Sequence, residues 1–251
     1  MKNMKSYSMP ALMPPFTERP WHYKNRTDVM IFFKADTEDI ARMLLPSVEP
    51  PIEPDPEGLC SVYFSHTDFV HGFGTGYNEM VIGAMARFMG QKGFFISYVF
   101  VDSDVALIAG REVEGAPKRM AKITINKEGE LITGSLVRDG IEIIQATMKP
   151  LWPAKPEEIP PVFPPWLLKR IPSVEGPPAM SIDQLVSVIL TDIQVKEVWK
   201  GVGRVAFTES VIAPFAALKP KEYLDAFYIV QEFKDTSGKV IYDFLKEGNT
   251  G

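Results

Sequence analysis

Three features of this chain predict a mainly β protein of the α+β class. Short segments alternate apolar and polar residues, Asp-Gly and Glu-Gly pairs punctuate them, and few stretches carry a helical apolar stripe. Strands this short and this closely spaced point to an antiparallel barrel or a sandwich, with a few peripheral helices packed outside. At 251 residues, 45% hydrophobic and 24% charged, the chain can bury a sizeable core. We read residues 1–251 as one domain, with 1–19 as an extended N-terminal arm whose prolines at 10, 14 and 15 prevent a continuous helix.

Along the chain, Thr37 is placed to cap a short helix running to Leu45, because Ile40, Met43, Leu44 and Leu45 recur at helical spacing. The glycine-rich strings at 72–76 (GFGTG) and 201–203 (GVG) read as turns, since neither sits in the strand–glycine–helix unit of a dinucleotide site. Residues 79–89 fit a strand or a helix equally well. Phe94–Val101 has strand length. Three hairpins are expected, turning at Glu128-Gly129, Asp139-Gly140 and Ser237-Gly238. Two further strands fit 182–212. The proline-rich stretch PAKPEEIPPVFPP resembles a linker, but Trp152, Phe163, Trp166, Leu167 and Leu168 in and around it would be wasted on solvent. It is predicted to be an ordered crossover packed on the core.

Composition excludes several classes. A net charge of -5 leaves no basic footprint for nucleic acid. The single cysteine, Cys60, rules out an intrachain disulfide and a cysteine-based zinc cluster. No apolar run approaches the ~18 residues of a membrane helix. The N-terminus lacks the unbroken apolar centre of a signal peptide, so a cytoplasmic location is expected. His66 and His71 have no clustered acidic partners, which argues against a metal site. No Gly-x-Ser-x-Gly elbow occurs.

The chemistry points to residues 110–119, Gly-Arg-Glu-Val-Glu-Gly-Ala-Pro-Lys-Arg. Lys118 follows the apolar stretch 94–109 and is therefore expected in buried surroundings, where lost hydration disfavours the charged amine. A free lysine, with a pKa of about 10.4, is neutral in only about one molecule in a few thousand at pH 7. A lowered pKa would release a nucleophile able to form a Schiff base with a ketone. Arg119 adds a permanent positive charge beside it. In an extended segment the two side chains point to opposite faces, so desolvation is predicted to be the larger cause of any shift and repulsion the smaller.

The string GREVEGAPKR, with GYNE at 76–79 upstream, resembles the acetoacetate decarboxylase family. Further similarity lies, in family order, in HYKNR (22–26), PPWLLKRIPSVEG (164–176), LTDIQVKEVWKG (190–201) and KVIYDFLK (239–246). The resemblance implies a mainly β fold around an antiparallel closed β-barrel and a homo-oligomer. It also implies a small keto acid substrate and no metal or organic cofactor. It makes Lys118 the Schiff-base lysine, Arg119 its neighbouring cation and Glu79 a catalytic carboxylate. Arg26 would bind the substrate carboxylate, a group that suits a planar guanidinium. Glu112 is read as structural, paired with Arg111 or another cation. The chain departs from the family in two places. Arg119 replaces a lysine, and the stretch 61–64 (SVYF) offers Tyr63 or Phe64 where the family's decarboxylases carry a second glutamate.

Decarboxylation of a β-keto acid such as acetoacetate is accordingly the leading expectation. An aldolase or dehydratase acting on pyruvate-like keto acids is the alternative, favoured by the missing glutamate. A non-catalytic barrel holding a small acid is the third.

Overall fold

The computed structural model describes residues 8–162 and 164–247. The expected hairpins at 128–129 and 139–140 are both present. They join β7 (Lys122–Glu128), β8 (Leu131–Arg138) and β9 (Ile141–Pro153) into a meander. Asp139 and Gly140 adopt φ of 52° and 80°, the positive values that a tight two-residue turn demands. The third hairpin is absent. Ser237 and Gly238 lie inside β12 (Glu222–Asp243), paired with Ile189 and Val188 of β11 (Met180–Phe207). Strand β11 replaces the two strands expected at 182–212, and its pairing with β12 runs on through several register shifts without a turn.

The string 201–203 also lies within β11 and is not a turn. Its glycines are needed for close approach: a Cβ on Gly201 would stand 2.0 Å from the Lys149 carbonyl oxygen. Residues 72–76 do form a turn, between β3 (Leu59–His71) and β4 (Thr75–Phe88). The ambiguous stretch 79–89 is thereby mostly strand. Helix α1 (Thr37–Leu44) buries Ile40 and Leu44 as its spacing predicts, although Asp36, not Thr37, occupies the cap position.

The strands, with the short β2 (Glu53–Pro54) paired to β4, form one twelve-stranded mixed sheet in place of the purely antiparallel closed barrel expected. Two pairings are parallel. After β5 (Gln91–Val101), helix α2 (Asp104–Ala109) and the turn that follows carry the chain back, so β6 (Lys118–Met120) runs parallel to β5. The segment 154–164 delivers β10 (Pro165–Pro172) parallel to β5 on one side and antiparallel to β11 on the other. Its residues 154–162 are the crossover expected, packed on the core through Ala154, Ile159 and Val162. Trp166 and Leu167 are buried, but Trp152 is exposed, and Phe163 lies outside the described residues. In the N-terminal arm, residues 1–7 also lie outside them. Residues 8–20 carry no regular element, yet Phe16 is buried against Trp21 at the start of β1 (Trp21–Lys34). The last helix, α3, is Phe244–Glu247.

Candidate active site

Strand β1 contributes the first groups. Between Tyr23 and Arg26 its register slips by one residue, and Asn25 sits at φ 48°. This bulge resets the alternation, so Arg26, Asp28 and Met30 share a face with Tyr23. Facing them, the alternation of β4 presents Tyr77, Glu79 and Val81, and that of β12 presents Ile229, Gln231, Phe233 and Asp235. With Lys118 of β6 beside Val99 of β5, these side chains line one cavity of about 330 Å³.

Lys118 is 6% exposed, as its apolar context predicts. Its environment is made by a five-residue π-helical turn at Gly110–Glu114, closed by Gly115 in the left-handed conformation (φ 80°). Such wide turns often occur at functional sites. Gly110 leaves room for the lysine, because a Cβ there would come within 2.5 Å of Lys118 Cε.

Three of the four expected site residues meet. Lys118 Nζ lies 2.9 Å from Glu79 Oε2, and its ammonium sits 5.4 Å from the centroid of the Tyr77 ring. Arg26 Nη2 donates to Glu79 Oε1 at 3.3 Å and to Ser65 Oγ at 2.7 Å, while Nε donates to Asp28 Oδ1 at 2.8 Å. Ser65 in turn donates to Asp28 Oδ1, and Gln231 Nε2 donates to Asp28 Oδ2 at 2.7 Å. Glu79 is therefore a carboxylate clamped between two buried cations. Arg26 is held rigidly by acceptors below it, which is what orientation of a bound carboxylate requires.

The charge states follow from this clamp. Burial by itself pushes the Lys118 pKa down, but Glu79 above all, with Tyr77 and Glu114, outweighs it and holds the amine above the ordinary lysine range. This corrects the expectation of a lowered pKa. Desolvation is indeed the largest single influence, and a contacting carboxylate reverses its effect. Burial likewise raises Glu79, while Lys118 and Arg26 bring its carboxyl below the usual range. In the resting site the pair is an ammonium and a carboxylate.

Arg119 is not brought to this group. It is exposed, pairs in register with Phe100, and lies outside the cavity lining. Glu112 accepts a hydrogen bond from Ser8 Oγ at 2.6 Å, a structural tie to the N-terminal arm in place of the cation pairing expected. Of the two residues in the position of the missing glutamate, Tyr63 lines the cavity. Phe64 is buried in the core against Gly134.

Sequence reasoning missed a second polar corner. Arg19 Nη2 lies 2.7 Å from Glu114 Oε1 and 3.3 Å from Asp235 Oδ2, and both carboxyl groups line the cavity. Asp235 is 2% exposed, and burial followed by the neighbouring Glu114 pushes its pKa up to about 10. One of these two acids is thus protonated at neutral pH. Glu114 stands inside the string 110–119 and could have been marked there. Asp235 and Asp28 carry no local signal at all. Among the described residues no cluster of three or more His, Cys, Asp or Glu is placed to hold a metal ion.

The sequence model described as acetoacetate decarboxylase (ADC) matches residues 4–245. The chain belongs to the acetoacetate decarboxylase family. It is 28% identical over 249 residues to an acetoacetate decarboxylase of Clostridium botulinum, covering 97% of each chain. It is 29% identical over 246 residues to acetoacetate decarboxylase 2 of Mesorhizobium japonicum, covering 96% of this chain and 90% of that one. The acetoacetate decarboxylase crystal structure from Legionella pneumophila superposes with a TM-score of 0.84 at 28% identity, covering 96% and 95% of the two chains. MppR, an enduracididine biosynthesis enzyme whose structure was solved with pyruvate, shares the fold at a TM-score of 0.80 and 21% identity, covering 95% of this chain and 98% of that one. Membership in the family supports a decarboxylase-like enzyme here.

Proposed function

We propose that the protein decarboxylates a β-keto acid, such as acetoacetate, to a ketone and carbon dioxide through a Schiff base on Lys118. The observation that carries this reading is a buried amine 2.9 Å from a carboxylate that Arg26 also holds, inside a cavity that continues along apolar walls. An entering substrate carboxylate pairs with Arg26 and competes with Glu79 for it. Glu79 becomes more basic and takes the proton from Lys118 Nζ. The neutral amine adds to the keto carbon, and the carbinolamine loses water to give an iminium. The bond to the carboxyl carbon breaks, its electron pair flows to the iminium nitrogen, and carbon dioxide leaves. The resulting enamine is protonated at carbon, and water hydrolyses the iminium to ketone and free lysine. On this reading the lysine is activated when substrate enters. The same reading takes the protein as a cytoplasmic homo-oligomer of single-domain subunits, and light scattering tests the assembly.

Incubation with acetoacetate followed by borohydride tests the chemistry. An isopropyl-sized adduct on Lys118, absent from Lys118→Ala, is expected. An adduct that keeps the carboxylate would favour the second reading, a Schiff-base aldolase or dehydratase acting on pyruvate-like acids. Tyr63 is what favours that reading, since it puts a phenol in the cavity where the family's decarboxylases carry glutamate.

A further inference from the structure

The cavity is much larger than acetoacetate needs. That molecule occupies on the order of 120 Å³ at the packing density of organic crystals, against about 330 Å³ here, a size that holds considerably larger ligands. The surplus has a direction. Lys118 pairs with Val99 of β5, and the cavity continues along that strand past Ile96 to Phe94. At the rise of a β-strand this spans roughly 15 Å. Across the sheet, Pro165 of β10 pairs with Phe94, and Trp166 with Ser187 of β11, which brings Leu167 and Val188 into the same wall. Ile96, Val188 and Leu167 pack together, and Val162 of the crossover lies with Phe94 in a neighbouring apolar cluster. The charged groups are Arg26, Asp28, Glu79, Lys118 and the Glu114–Asp235 corner, and none comes from β5, β10, β11 or the crossover.

The geometry points to a β-keto acid carrying an apolar chain or ring well beyond methyl, with its carboxylate at Arg26, its keto carbon at Lys118 and its apolar group along β5. This assignment rests on the decarboxylase reading and adds the substrate class to it. A methyl group leaves the arm to water, whereas each buried methylene gains about fourfold in binding.

Decarboxylation of 3-oxobutanoate, 3-oxohexanoate and 3-oxooctanoate should be compared by carbon dioxide release. The expected result is kcat/KM rising at least tenfold from the four-carbon to the six-carbon acid and further for the eight-carbon acid. Val188→Phe and, independently, Val162→Trp should shrink that ratio by narrowing the arm. A kcat/KM that is equal or highest for 3-oxobutanoate, with the ratio unmoved in both variants, overturns the assignment and makes the arm an access path only. If none of the three acids yields carbon dioxide or a borohydride adduct on Lys118, the decarboxylase reading itself fails. The apolar arm is then judged by calorimetry with unreactive 3-hydroxy acids. Tighter binding of 3-hydroxyoctanoate than of 3-hydroxybutanoate sustains a ligand with an apolar chain, and equal affinity overturns it.

Discussion

Two buried carboxyl groups in the same cavity wall are driven to opposite charge states. Glu79 lies between Lys118 and Arg26, two cations for one carboxylate, and its pKa is lowered despite burial. Asp235 and Glu114 share Arg19, one cation for two carboxyl groups, and the pKa of Asp235 is pushed up to about 10. Burial works in the same direction at both. The ratio of cations to carboxyl groups decides the outcome, because each desolvated charge must find its compensation inside the protein. One corner holds ionised groups poised to exchange a proton, and the other holds a proton tightly.

The largest break in this comparison is Glu79→Gln. It removes the proposed base and the charge that holds up the Lys118 pKa, so turnover should fall by about 10²–10⁴-fold. Residual borohydride trapping should begin at lower pH than in the parent protein. A trapping profile that does not move would refute the role of Glu79 in setting the lysine's charge state. Next comes Gly110→Ala, whose Cβ must displace Lys118 Cε from 2.5 Å. Misplacing a reacting group by about 1 Å costs roughly 10²-fold in turnover. The Lys118–Glu79 corner should show this loss, while the far corner keeps its titration.

The second corner is tested through stability. Asp235 binds its proton more tightly folded than unfolded, so between its ordinary carboxylate pKa and about 10 the folded state holds the extra proton. Its contribution is therefore complete at low pH and is lost as pH rises, by up to about 1.4 kcal/mol per pH unit. Asp235→Asn should flatten the fall in Tm between pH 6 and 9. An unchanged slope would mean that Asp235 is ionised in the fold. The smallest effect is expected from Arg119→Gln, which touches neither corner. Turnover and the pH onset of trapping should stay within about twofold of the parent. A pKa for Lys118 that shifted substantially would give Arg119 the tuning role that its exposure denies it.

Much of this site was legible in the sequence. The GREVEGAPKR string marks Lys118, and its apolar approach marks the lysine as buried. Arg26 and Glu79 follow from the resemblance, and the Asp-Gly and Glu-Gly pairs mark two turns by their backbone demands. Less legible were the features that depend on partners distant in sequence. Ser237-Gly238 looks like a turn but is strand, because β11 offers a long ladder on which it can stay extended. The bulge at Asn25, which turns Arg26 inward, has only an asparagine at positive φ as its local trace. Asp28, Ser65, Gln231 and Asp235 join the site through pairing of β1 with β3 and β12.

By itself, then, the sequence determined the mainly β character, the family and the lysine proposed to react, because propensity, turn chemistry and short motifs act over a few residues. The tertiary structure alone decided the mixed sheet, the exclusion of Arg119, the choice of Tyr63 over Phe64, and above all the charge on Lys118. A buried group's ionisation is set by which opposite charge the fold brings within a few ångströms, and no local pattern encodes that distance.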